Sequence, residues 1–145
     1  MIGPPPEIGA VIRYSYLWLR QAQNRQIEGE KDRPCAVVAS VRVEGGETIV
    51  QVLPISTRRP DKEDLAVELT NAARQRLGLE ADASWIIISE SNEFMWPGPD
   101  VRPVPRKLPP TIAYGHLTRL TLQRMAQAYV NAVRSGMHIR MKRKN

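Results

Sequence analysis

The sequence predicts a mainly β protein: a small, strongly curved, barrel-like sheet with helices packed outside it. Three observations carry this expectation. Short apolar, β-branched runs recur along the chain with Gly- or Pro-bearing turns between them. A proline-rich stretch near the middle of the C-terminal half forbids regular structure there. One long segment close to the C-terminus has helical rather than strand periodicity.

The elements follow in order. Residues 9–18 read as a first strand, with Tyr14, Tyr16 and Trp18 alternating onto one face. Residues 19–32 are almost all polar and read as a long exposed loop. Residues 33–43 form a second strand, Glu44-Gly45-Gly46-Glu47 a hairpin turn whose glycines accept positive φ, and residues 48–55 the returning third strand. That strand mixes apolar residues on both parities, as a strand buried on both sides does. A polar turn, Arg58 to Lys62, precedes a short strand at 65–69 and a short helix that Thr70 caps and Gly78 ends. Residues 84–91, with Trp85-Ile86-Ile87-Ile88, form another strand. The segment 96–110 carries six prolines and must be an extended surface connection, because proline lacks the ladder donor. The last element is a helix over 118–135. Thr118 is its N-cap, Leu117 and Leu122 stand at staple positions, and Leu122, Met125, Ala126, Tyr129 and Val133 form an apolar stripe. Gly136 stops it.

Composition bounds the class. The chain has 145 residues, 42% of them hydrophobic and 25% charged, which suits one globular domain. No apolar run reaches membrane-spanning length. The N-terminus lacks a basic stretch followed by an apolar one, so no signal peptide is predicted and a cytoplasmic location is expected. A single cysteine, Cys35, excludes an internal disulfide; in an apolar strand it reads as a buried thiol rather than a nucleophile. Residues 134–145 carry five of the six net positive charges, so the body before them is nearly neutral. The domain is read as 1–136 and the basic tail as 137–145, the tail being either a phosphate-binding arm or a solubilising end.

One stretch concentrates candidate chemistry. Gly29-Glu30-Lys31-Asp32-Arg33-Pro34-Cys35-Ala36-Val37-Val38 runs from a charged turn through Arg-Pro into a strand, and Val50-Gln51-Val52-Leu53-Pro54-Ile55-Ser56 ends a second strand on Pro and a hydroxyl. This arrangement resembles the core of the MazF/PemK family of bacterial toxin ribonucleases over residues 8–57, in a longer and divergent branch. The resemblance implies a small SH3-like barrel of the MazF/CcdB type with a C-terminal helix. It also implies a homodimer, a neutralising antitoxin partner, and metal- and cofactor-independent cleavage of single-stranded RNA by 2′-hydroxyl attack on the neighbouring phosphate. Arg33 matches the family's arginine before proline. Ser56 stands where the family has threonine, and Thr57 beside it is an alternative hydroxyl. Glu90 or Glu93 would supply the acidic residue that some members carry in a later strand. Arg58 and Arg59, in the turn after Ser56, are candidates for RNA binding. The chemistry suits these residue types: an arginine fork matches phosphate oxygens, and a hydroxyl orients an oxygen but is too weak a base to deprotonate one.

Other readings stay open. Arg before Pro and Ser-Thr after a strand are also ordinary strand-entrance and turn chemistry. A CcdB-like toxin or binding module acting on a protein target would share the fold without needing Arg33 and Ser56 as a pair, and an inactive family member would tolerate the Ser-for-Thr exchange. Tyr14, Tyr16 and Trp18 form either a core face or a stacking surface for unpaired bases. The Pro-rich segment with Phe94 and Trp96 is either a connector or a docking surface for antitoxin or RNA. The only two histidines, His116 and His138, would need to share a cleft to act as an acid–base pair. No Cys/His spacing suggests zinc, and no Gly-rich phosphate loop or nucleophile elbow is present.

Overall fold

The computed structural model describes residues 3–23 and 31–143. Eight strands, β1 (Ala10–Tyr14), β2 (Arg33–Arg42), β3 (Thr48–Ser56), β4 (Ala66–Glu68), β5 (Trp85–Ile87), β6 (Glu90–Met95), β7 (Ala113–His116) and β8 (Ile139–Lys142), form one sheet. Three helices join them: α1 (Leu19–Gln23), α2 (Asn71–Arg76) and α3 (Arg119–Arg134). The main path runs β4-β5-β3-β2-β1-β7, with β6 and β8 branching from β3. All pairings are antiparallel except β6 with β8. The expected barrel is not closed. One edge of β3 divides instead, Ile55 and Ser56 pairing with β5 while Ile49 to Val52 pair with β6. The predicted strand at 84–91 is therefore two strands, broken at Ile88 and Ser89. Their main chains serve other segments there, Ile88 donating to Leu65 O and Ser89 accepting from Ile139 N.

The central strands are buried on both faces. Val11, Ala36, Leu53, Ile55 and Ile86 face α2 and α3, which contribute Ala73, Met125 and Ala132, with Leu77 at the C-cap of α2. The opposite parity, Ile12, Tyr14, Cys35, Val37, Val50 and Val52, meets an aromatic layer of Tyr16, Trp18 and Phe94. This is why β2 and β3 read as near-continuous apolar runs. Tyr14, Tyr16 and Trp18 do share a core face, but β1 ends at Tyr14. The alternation persists beyond the strand because the Asn92 side chain replaces a neighbouring backbone: its Oδ1 accepts from Leu17 N at 2.8 Å and its Nδ2 donates to Leu17 O at 2.9 Å. Leu19–Gln23, expected as loop, is a short helix; the rest of that predicted loop up to residue 30 lies outside the described residues.

The Thr118 cap of α3 holds, its hydroxyl accepting from Thr121 N, and Leu117 and Leu122 pack into the same cluster. The predicted stripe is rotated, however. Thr121, Met125 and Ala132 are the buried residues of α3, while Ala126 and Val133 are exposed. The terminal segment is also not a free tail. Ile139–Lys142 form β8 beside β6, and the Arg143 guanidinium meets Asp100 at 3.1 Å, with the two side chains only 5% and 14% exposed. Arg143 also donates to Ser15 O and to Asn92 Oδ1, so part of the tail's charge is consumed internally. No helix among the described residues is long and apolar enough to cross a membrane.

Candidate functional site

Arg33 opens β2 opposite Tyr14 of β1, and Ser56 closes β3. The last β2–β3 pair at this end is Cys35 with Pro54, and Arg33 and Ser56 stand at the strand ends just beyond it. The Arg33 guanidinium lies over the Trp18 ring, 4.9 Å from its centroid, and Arg20 reaches the same ring at 5.3 Å. The nearly buried indole thus holds the Arg33 guanidinium by a cation–π contact.

These groups line a cleft of about 510 Å³. Six site residues expected from the sequence stand on its wall: Arg33, Ser56, Thr57, Arg58, Arg59 and Glu90. Arg20 and Lys31 bring the cations to five, against two acids, Asp61 and Glu90. Glu93 is elsewhere, paired with Arg140 at 3.5 Å.

The geometry separates the candidates. The Ser56 hydroxyl closes its own turn, accepting from Arg58 N at 3.1 Å and reaching Arg58 O at 3.4 Å. Thr57 is exposed and its hydroxyl has no hydrogen bond among the described residues. Arg59 is tied to Glu63. Glu90 Oε1 accepts from Tyr16 OH at 3.0 Å and from Leu19 N at 2.9 Å, so both bonds come to one oxygen. Burial raises the Glu90 pKa above its ordinary value, with those two hydrogen bonds and the Arg20 charge opposing it. A carboxylate so placed holds a proton more readily than an exposed one.

The remaining candidates resolve as structure. Cys35 is fully buried and burial pushes its thiol far up, which removes it as a nucleophile. Phe94 stacks on Tyr14 at 4.6 Å inside the core. His116 is exposed on β7, and neither it nor His138 lines the cleft. His138 instead bridges Ile88 O at 2.5 Å and Ser91 Oγ at 2.8 Å, and Ser91 in turn accepts from Gln51 Nε2, which also contacts Tyr129 OH. Among the described residues no group of three or more His, Cys, Asp or Glu side chains is placed to hold a metal ion. Arg20 escaped the sequence reading as a site residue, and Trp18 entered it only as a core face or a base-stacking surface. The available signal was the register of the first two strands, which sets the segment after Tyr14 beside Arg33.

No protein-family model matches the chain, and no curated protein matches it either.

Proposed function

We propose that the protein is a metal-independent endoribonuclease toxin that cleaves single-stranded RNA, acts in the cytoplasm as a homodimer and is neutralised by an antitoxin. The observation that carries this reading is the gathering of Arg33, Thr57 and Glu90 on one cationic cleft beside the β2 and β3 termini. In the proposed reaction the ribose 2′-oxygen attacks the adjacent phosphorus and the bond to the 5′-oxygen breaks. The leaving 5′-oxygen takes a proton from water, and the products are a 2′,3′-cyclic phosphate on one fragment and a 5′-hydroxyl on the other. Arg33 stabilises the charge that accumulates on the phosphorane oxygens. Glu90, whose second oxygen accepts no hydrogen bond among the described residues, takes the 2′-hydroxyl proton. Thr57 orients a phosphate oxygen, a role in which it replaces Ser56 because the Ser56 hydroxyl is occupied by its turn. The cationic wall draws the RNA backbone in.

Incubation of purified protein with mixed single-stranded RNA in excess chelator tests this reading. Discrete fragments ending in cyclic phosphate are expected, and a substrate with 2′-deoxyribose at the scissile position should resist. Cleavage of the deoxy analogue, or no cleavage of RNA at all, would overturn the mechanism.

A further inference from the structure

A second cavity, of about 420 Å³, lies on the other side of Arg33. It shares Lys31, Arg33 and Thr57 with the first, so the two cavities adjoin at these residues. The rest of the second cavity is built by segments that nothing in the reading of the first cleft uses: β1, β7, the turn after α2 and the Pro-rich strap.

Its walls are mainly of two kinds, with Glu80 adding a carboxylate to the lining. Leu79 after α2 and Val104 and Pro105 of the strap, with Pro34 at the start of β2, form an apolar side. Opposite stand hydrogen-bond donors. Arg13 Nη1 donates to Tyr114 OH at 2.9 Å, which leaves the tyrosine proton with no acceptor among the described residues. Asp32 meets Arg13 only at 3.8 Å and is shared with Arg102 at 3.9 Å, so it neutralises Arg13 incompletely. Arg106 is exposed and has no ion pair or hydrogen bond among the described residues. Its backbone sits at φ 63°, a left-handed conformation that a non-glycine residue adopts at a cost. The strap around it is fastened, because Lys107 Nζ donates to Tyr114 O at 3.0 Å and Val104 N to Thr111 O at 2.8 Å. A held turn thus presents one unneutralised guanidinium at the cavity.

We propose that this cavity is a nucleotide subsite. A phosphate is taken by Arg106 and the Arg13–Tyr114 pair, and the attached base lies against the apolar wall of Pro34, Leu79 and Val104. An apolar wall facing several convergent donors, in a cavity of this size, fits a small ring with an anionic group. Its placement next to the phosphate at Arg33 rests on the ribonuclease reading; its capacity to bind a nucleotide does not.

The test is fluorescence anisotropy with a labelled single-stranded 2′-deoxy hexamer of mixed sequence, which 2′-hydroxyl chemistry cannot cleave. Arg106→Ala and Tyr114→Phe each should weaken binding several-fold. Arg106→Ala should also lower the salt slope by about 0.7, the value for one phosphate contact on a single strand. Arg42→Ala, which removes the same charge at the far end of β2, is the control and should bind like the unaltered protein. The subsite is overturned if the hexamer does not bind, if both variants bind as tightly as the parent, or if Arg42→Ala weakens binding as much as Arg106→Ala. Failure to cleave RNA, measured separately, would remove the ribonuclease reading while Arg106-dependent binding would still stand.

Discussion

The Tyr16 hydroxyl donates to Glu90 Oε1 at 3.0 Å, from a ring that is almost wholly buried beneath the cleft floor. The bond fixes one carboxylate oxygen from behind and couples the aromatic layer to the site. Burial raises the pKa of Glu90 despite this bond. The folded state therefore binds the Glu90 proton more tightly than the unfolded chain does. Glu90 contributes stability that is full below its ordinary value near 4.5 and is lost as the pH rises through its raised folded value. Glu90→Gln keeps an acceptor for Tyr16 and Leu19 and removes the buried charge. It should be at least as stable as the parent at pH 7, with the difference shrinking as the pH is lowered towards 4, as read by urea denaturation. The same variant should lose RNA cleavage and the acid limb of the pH–rate profile. An unchanged profile would exclude Glu90 as the base.

Arg33→Ala should lower cleavage by about 10²–10³, the usual loss on removing one group that stabilises transition-state charge. Thr57→Ala should cost more activity than Ser56→Ala, because the Ser56 hydroxyl is engaged with Arg58. Ser56→Ala should instead lower stability modestly by loosening that turn. Single-turnover cleavage rates beside melting temperatures separate the two effects, and the reverse ranking would return the orienting role to Ser56.

Arg143→Ala should destabilise the fold by about 1–3 kcal/mol, since it leaves the largely covered Asp100 without its ion-pair partner and Ser15 O without its donor. Deleting residues 136–145 removes β8 as well and should abolish the cooperative transition. A free, solubilising end would give no change in either experiment, which equilibrium denaturation would reveal at once.

His138 should make stability fall in mild acid. Burial lowers its pKa, so its contribution is present above the ordinary value near 6.5 and is lost as the pH falls through the lowered folded value. His138→Ala should cost about 1–3 kcal/mol for each buried partner it leaves unsatisfied, Ile88 O and Ser91 Oγ being the two. It should also flatten the pH dependence of stability below about 6.5 without altering cleavage at neutral pH, because His138 does not line the cleft.

The local elements of this protein were legible in its sequence wherever a short-range rule decided them. The Gly45–Gly46 hairpin, the two strands that flank it and the Thr70 and Thr118 caps depend on residues a few positions apart. The placement of Arg33 and Ser56 at neighbouring strand ends was set less locally, because a bulge between Val37 and Ala39 shifts the register with which the hairpin starts. β7 was missed because Ala113-Tyr114-Gly115-His116 has little strand propensity and pairs only because β1 offers an edge. β8 left a signal in the alternation of Ile139, Arg140, Met141 and Lys142, which the charge of the segment obscured. What the chain could not announce locally was decided by long-range packing. The edge of β3 is divided between two strands. Glu90 rather than Glu93 faces the cleft, and Arg143 is drawn back onto Asp100. Each of these joins residues tens of positions apart, where burial and hydrogen-bond satisfaction across the whole fold, not propensity, select the partner.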